Sequence, residues 1–179
     1  QAASLMPDVL VNNAGMVAVG DGPMISGDVT MPFADWQRSL ATTLTTAFLL
    51  TRAVVPTMRA RGWGRIITVS SLTGPVMAAR GDVAYAAAKA GMVGFTRAVA
   101  LEAAPYGVTV NAVAPGWIAT GSQTAREAAA GRRTPVRRSG TPEEIAALIA
   151  FLASSDASYI TGQLIVADGG NALLEDHNA

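Results

Sequence analysis

Tyr85 and Lys89 stand four residues apart in the run Tyr85-Ala86-Ala87-Ala88-Lys89. On a helix that spacing places both side chains on one face. An ammonium beside a phenol favours the phenolate, so the tyrosine is expected to titrate below its ordinary value of about 10. A tyrosine shifted in that direction can give a proton to a carbonyl oxygen or take one from an alcohol. The same pair also suits a plain solvated helix face, and gains meaning only from the groups around it. Lys89 is the single lysine of the chain; the other twelve basic residues are arginines, which reads, with the many alanines, as a compositional bias.

Three other short runs carry unusual chemistry. Ser70-Ser71 closes an apolar run just before the Tyr85 helix. There Ser71 is placed to hydrogen-bond a substrate oxygen beside Tyr85, unless the two hydroxyls only make local turns. Asn12-Asn13-Ala14-Gly15 and Asn111-Ala112-Val113-Ala114-Pro115-Gly116 also follow apolar runs. Small residues after a strand let the backbone approach a ligand closely, though each run also suits an ordinary strand-to-loop turn.

The elements that must position these groups alternate along the chain. Residues 8–11 (Asp8-Val9-Leu10-Val11), 65–70, 108–113 and 164–166 read as short buried strands stopped by turn formers. Between them lie a helix from about 34 to 61, expected to kink at Pro56, a helix over 83–104, and a helix over 141–154. The last starts at Thr141-Pro142-Glu143-Glu144: a threonine cap, a proline in the first turn, and acids at the positive end of the dipole. Residues 16–34 and 72–82 read as loops, and residues 117–140, rich in Arg, Gly and Thr, as a mobile segment. Strand and helix in alternation predict one domain over residues 1–179: an α/β fold with a parallel sheet and helices on its faces. Ligands of such sheets bind beyond the carboxyl ends of the strands, where the runs above fall.

Composition narrows the chemistry. Half of the 179 residues are apolar and 15% are charged, which excludes a disordered polymer. Thirteen basic residues balance thirteen acidic ones, so the footprint of a nucleic-acid or anionic-membrane binder is missing. There is no cysteine, and the single histidine is His177. Thiolate zinc sites, cysteine nucleophiles, histidine metal sites and a Ser-His-Asp triad are therefore not expected. No apolar run reaches the length of a membrane span, and the expected location is the cytoplasm.

Together these residues resemble the short-chain dehydrogenase/reductase family of the classical type. The resemblance runs in order through Asn12-Asn13-Ala14-Gly15, Ser71, Tyr85-xxx-Lys89, Asn111, Pro115-Gly116-Trp117-Ile118-Ala119-Thr120, Thr161-Gly162-Gln163 and Asp168-Gly169-Gly170. It is strongest to the group of 3-oxoacyl-acyl-carrier-protein reductases and related alcohol, sugar and steroid dehydrogenases. It implies a Rossmann-like, doubly wound parallel sheet in which strands 4 to 7 of the family order are present. It also implies hydride transfer between NAD or NADP and a small-molecule carbonyl or secondary alcohol. In that scheme Tyr85 is the general acid/base, Lys89 binds the nicotinamide ribose, and Ser71 positions the substrate oxygen. Pro115, Gly116 and Ile118 pack beside the nicotinamide, Thr120 lies near its carboxamide, and Asn12, Ala14 and Gly15 border the adenosine side. Residues 117–140 become a substrate lid. A homo-oligomer, tetramer or dimer, is implied, pairing the helices at 35–61 and 83–104, with Gly91 and Gly94 suited to close packing.

Two departures from the family pattern stand out. The chain reaches the family's fourth strand at once, so a fragment lacking the first third and its glycine-rich pyrophosphate turn is expected. Thr43 stands where the family usually has an asparagine that holds a relay water. These departures favour an alternative, a catalytically inactive remnant acting only in assembly or interaction. The joint presence of Ser71, Tyr85 and Lys89 favours the enzyme.

Overall fold

The computed structural model of the chain describes residues 7–15 and 26–173. Part of the loop expected over 16–34, and His177, lie outside the described residues. In chain order the elements are β1 (Val9–Asn12), α1 (Phe33–Leu40), a π turn (Ala41–Thr45), α2 (Thr46–Arg61), β2 (Gly64–Val69), α3 (Val83–Ala103), β3 (Val108–Pro115), α4 (Ala125–Gly131), α5 (Pro142–Ala153) and β4 (Leu164–Ala167). The four strands form one sheet in the order β1-β2-β3-β4. Every pairing is parallel. This is the Rossmann-like sheet that the alternating elements predict.

β2 and β3 are buried along nearly their whole length, as expected of strands covered on both faces. Their side chains divide by the two-residue period of a strand. Ile66, Val108 and Val110 join Val54, Val55 and Met58 of α2 and Ala100 and Ala103 of α3 in one core cluster. Ile67 and Val113 face the other way, onto Leu152 of α5 and Ala157. β1 and β4 are the sheet edges, and each leaves a valine in water, Val11 at 39% and Val166 at 41% exposure. No helix among the described residues is long and apolar enough to cross a membrane.

Two expectations are corrected. The stretch from 34 to 61 is not one regular helix: α2 contains Pro56, and a π turn separates it from α1 at residues 41–45. Thr46 N–H reaches Ala41 O, five residues back. The local cause is a run of threonines. The Thr42 hydroxyl donates to Arg38 O at 2.9 Å and the Thr46 hydroxyl to Ala41 O at 3.0 Å, taking carbonyls that a regular helix would bond only through its own N–H groups. The second correction concerns 117–140, which is built rather than formless. α4 carries a capping box in which Thr124 and Glu127 bond each other's backbone N–H. Ile118 pairs with Gly140 across its base.

Two buried polar residues hold the sheet to its surroundings. The Arg65 side chain, 2% exposed, donates to the carbonyls of Gly64, Gly107 and Ser154. Its guanidinium lies 4.5 Å from the centre of the Trp63 ring. Asn111, 1% exposed, donates to Ile160 O at 2.8 Å and accepts from Gln163 N–H at 3.1 Å. It thus fixes the turn that feeds β4. Replacing Asn111 by Ala should lower stability by about 2–3 kcal/mol, since both backbone partners lose a bond. Urea unfolding followed by circular dichroism checks this, and a change under 0.5 kcal/mol would contradict it.

Candidate active site

The site begins where β2 ends. Lys89, on the buried face of α3, is only 4% exposed. Its ammonium donates to Val69 O at 2.8 Å, and the Ser70 hydroxyl donates to Lys89 O at 2.8 Å. These two bonds cross in opposite senses and pin the strand end to the helix. Among the described residues the ammonium has no second hydrogen bond, so two of its N–H groups have no acceptor.

One residue further, the chain turns back under α3. Gly74 adopts φ +106°, and a Cβ there would strike the Ala86 carbonyl. Glycine is therefore required for the loop to lie against the helix. This brings Ser71 near enough to the Tyr85 phenol to favour its phenolate. Ser71 Oγ also accepts from Thr73 N–H at 3.1 Å, which fixes its orientation. The Lys89 ammonium lies 5.7 Å from the centre of the Tyr85 ring. Ser71, Tyr85 and Lys89 therefore meet at the carboxyl edge of the sheet, as their order predicts.

The expected fall of the tyrosine pKa is not found. Burial pushes the Tyr85 phenol above its ordinary range, and the negative charge of Asp82 adds to this; Ser71 opposes it. The lysine also responds to burial, which brings its pKa down to about 8. Desolvation disfavours whichever form is charged, so it raises the phenol and lowers the ammonium together.

Thr43 lies inside the π turn and is 1% exposed. Its hydroxyl is buried without a partner. A Cβ on Gly15 would come 3.3 Å from it, so the Asn12–Gly15 run and the π turn meet directly. Asn12 is tied by its amide to Thr51 at 3.1 Å, and its carbonyl oxygen is buried without a partner. Ala14 is exposed beside it. On the other side, Pro115 ends β3 and Gly116 passes so close to Asp168 that a Cβ there would lie 2.8 Å from Asp168 Cα. Trp117 and Ile118 line a cavity of about 210 Å³ with Val136, Ile145 and Asp168. The Thr120 hydroxyl bonds Ser122 at 3.1 Å.

A sequence reading misses the Ser70 lock and the contact of Gly15 with Thr43. The run Thr42-Thr43-Leu44-Thr45-Thr46 carries the signal for the second, because clustered hydroxyls compete with helix bonds. Gly91 and Gly94 differ in use. A Cβ on Gly91 would press on Leu44 at 2.9 Å, whereas Gly94 has nothing within 4 Å.

The family model described as enoyl-(acyl carrier protein) reductase matches residues 4–172. The chain belongs to the short-chain dehydrogenase/reductase family. Within that family it is similar to 3-oxoacyl-(acyl-carrier-protein) reductase FabG of Vibrio cholerae, with 43% identity over 171 residues, 93% of this chain and 67% of the relative. It is 44% identical to nodulation protein G of Azospirillum brasilense over 91% of this chain and 65% of the relative. A 3-oxoacyl-(acyl-carrier-protein) reductase of Brucella melitensis, solved with bound NAD, superposes with a TM-score of 0.83 at 36% identity, over 93% of this chain and 62% of that structure. The chain thus spans about two thirds of the length of the family members it matches.

Burying the Lys89 ammonium has a sign that can be checked. Its folded pKa lies below the unfolded one, so its penalty on stability is full below about pH 8 and disappears as pH rises toward 10.5. Lys89→Met should therefore raise unfolding stability at pH 7 by about 1–3 kcal/mol, with the gain shrinking above pH 8. Parallel urea titrations at pH 7 and pH 9.5 measure it. A gain independent of pH, or a loss at pH 7, would contradict the assignment.

Proposed function

We propose that the chain forms the catalytic part of an NAD(P)-dependent oxidoreductase that interconverts a carbonyl and a secondary alcohol. The observation that carries this reading is the meeting of the Ser71 hydroxyl, the Tyr85 phenol and the buried Lys89 ammonium at one point of the sheet edge.

Support for a nicotinamide nucleotide comes from polar groups that the protein leaves unfilled. Lys89 has two free N–H donors, suited to the vicinal hydroxyls of a ribose. Thr43 Oγ1 and Asn12 Oδ1 are buried and unpartnered nearby. On this reading Pro115, Gly116, Ile118 and Thr120 hold the nicotinamide, and Asn12, Ala14 and Gly15 border the adenosine side. The cofactor, when bound, supplies or accepts the hydride. The Tyr85 hydroxyl holds the proton that the carbonyl oxygen receives, and takes it back in the reverse direction. Ser71 Oγ donates a hydrogen bond to that same oxygen. Lys89 orients the ribose and brings a positive charge toward Tyr85, countering the effect of burial on the phenol. Thr43 offers a hydroxyl where the family pattern has an amide, so its hold on a relay water is shorter. Residues 117–140 cover the substrate.

The substrate is a small carbonyl or alcohol compound, and the protein acts as a homo-oligomer. Support for the latter is the exposed Phe48 on α2, in edge contact with Phe95 of α3 at 6.4 Å, beside the open surface at Gly94.

Titration with NADH and NADPH, followed by nicotinamide fluorescence, tests the reading. Saturable binding should weaken at least tenfold in Lys89→Ala and persist in Tyr85→Phe, which in turn should lose 10²–10⁴-fold in turnover, roughly the worth of a general acid. A folded chain that binds neither nucleotide would favour the inactive assembly module instead. Thr43→Asn should raise the rate of the active protein, and an unchanged or lower rate would overturn the role given to Thr43.

A further inference from the structure

The carboxylates of the described residues are nearly all accounted for. Asp8, Asp35, Glu102 and Glu144 pair with arginines. Asp28, Glu127 and Asp168 accept from hydroxyl or backbone N–H groups of their own segments. Glu143 and Asp156 have no such partner, but both are exposed and water serves them. Asp82 is the exception. It is half-buried, and its carboxylate has no donor among the described residues.

Asp82 stands at the cap position of α3. An aspartate there ordinarily accepts from a backbone N–H of the first turn, and Thr124 and Thr141 do so at the starts of α4 and α5. The Asp82 side chain makes no such bond. Its backbone is nevertheless fixed. Ala86 N–H donates to Asp82 O at 2.8 Å, and Gly27 lies alongside as a parallel bridge, with Val83 N–H on Gly27 O at 3.3 Å. Arg80, two residues earlier, is exposed and forms no ion pair with it. Burial therefore raises the Asp82 carboxyl with nothing to oppose it. A carboxylate drawn partly out of water and given no donor is unfavourable, and groups of this kind gather where a ligand completes the bonding.

The position decides what that ligand offers. Asp82 lies one helical turn before Tyr85, a spacing that sets two side chains near one another, and its charge is felt by the Tyr85 phenol. On the oxidoreductase reading, Ser71 and Tyr85 serve the reacting oxygen. An acceptor beside them serves a neighbouring group of the same molecule. A carboxylate can only accept, so that group donates. A carboxylate or phosphate on the substrate would be repelled there. A second cation would meet the Lys89 ammonium, which lies 5.7 Å from the centre of the same tyrosine ring. An uncharged hydroxyl satisfies both conditions.

We propose that Asp82 is a specificity-determining residue of the candidate active site, its carboxylate accepting a hydrogen bond from a hydroxyl group that the substrate carries beside its reacting carbonyl. The preferred compounds are then hydroxyketones and the diols that correspond to them. The assignment of the reacting carbonyl rests on the oxidoreductase reading; binding of the hydroxyl at Asp82 requires no turnover.

Saturation-transfer NMR titration of the whole chain compares hydroxyacetone with butanone, in which a methyl group replaces the hydroxyl. Hydroxyacetone should bind at least about tenfold more tightly, because butanone leaves the carboxylate without its donor. The preference should collapse to within about twofold in Asp82→Ala. It should be intermediate in Asp82→Asn, which keeps the size and one acceptor oxygen, and should be retained in Asp156→Ala, which removes an exposed carboxylate elsewhere. With NADH or NADPH supplied, the loss in Asp82→Ala should appear for hydroxyacetone chiefly as a raised KM rather than a lowered kcat. Absence of binding, equal affinity for the two ketones, a preference that survives in Asp82→Ala, or equal weakening of both ketones in that variant, as a merely structural role would give, would overturn the proposal. Reduction of either ketone alongside such a result would leave the oxidoreductase reading standing. Hydroxyacetone bound through Asp82 by a protein that reduces neither ketone would uphold the site and count against that reading.

Discussion

A buried ammonium tied to the end of a buried strand organises this molecule. Lys89 gives one proton to the Val69 carbonyl while its own carbonyl receives the Ser70 hydroxyl. Those bonds fix α3 against the end of β2. The loop that follows has no choice of path. It folds back beneath the helix, where Gly74 slides past the Ala86 carbonyl, and so delivers Ser71 to Tyr85. Of the two ties, the one from Ser70 goes to a main-chain carbonyl and does not depend on the lysine side chain. The same ammonium is poorly solvated and holds two donors in reserve. Structural anchor and ligand-facing group are one residue, and its unfavourable burial is tolerated because the apolar layers of β2 and β3 around it are complete.

Burial acts on the pair in opposite senses. It lifts the phenol and depresses the ammonium, so that the ammonium titrates well below the phenol. A spacing of four residues suggests a tyrosine activated by its lysine. Burial instead raises the phenol, and the lysine ammonium lies 5.7 Å from the centre of its ring. Under the proposed function a protonated phenol is the form that gives a proton to a carbonyl oxygen.

Much of this was legible in the sequence, and the limits are instructive. The four strands were readable because β-branched runs stopped by turn formers leave few other structures open. The helix at 141–154 was readable because Thr141, Pro142 and Glu144 specify its start in sequence order. Ser71, Tyr85 and Lys89 could be placed together because strand and helix meet at one rim. The π turn escaped notice because it depends on hydroxyls competing with backbone donors, which no apolar period records. The approach of Gly15 to Thr43 joins segments far apart in sequence, and α4 was hidden within a stretch whose arginines and glycines read as loop. Its capping residues, Thr124 and Glu127, were present in the sequence all the same. Arg65 stands in a run that reads as a buried strand, and what the sequence does not record is how its charge is served there, by donation to the carbonyls of Gly64, Gly107 and Ser154.

The charge layout separates two ends of the molecule. At the amino ends of the strands, Arg65 serves carbonyls and has no carboxylate partner among the described residues, a structural use of a cation, while Arg61 donates to Pro7 O and pairs with Asp8 before β1. At the carboxyl ends lie the Lys89 ammonium on Val69 O and, just before α3, Asp82, whose carboxyl burial raises. The turn at 131–140 is not a loose flap. It is hydrogen-bonded at its neck by Thr134, seated on the last strand through Val136, and pinned at its far end by the Arg138–Glu144 pair, whose carboxylate also caps α5. The limb before α4 is tied to the same end, since Gln123 Nε2 donates to Ser139 Oγ and the backbones of Ile118 and Gly140 pair, so the two limbs of the segment are held to each other as well as to the sheet.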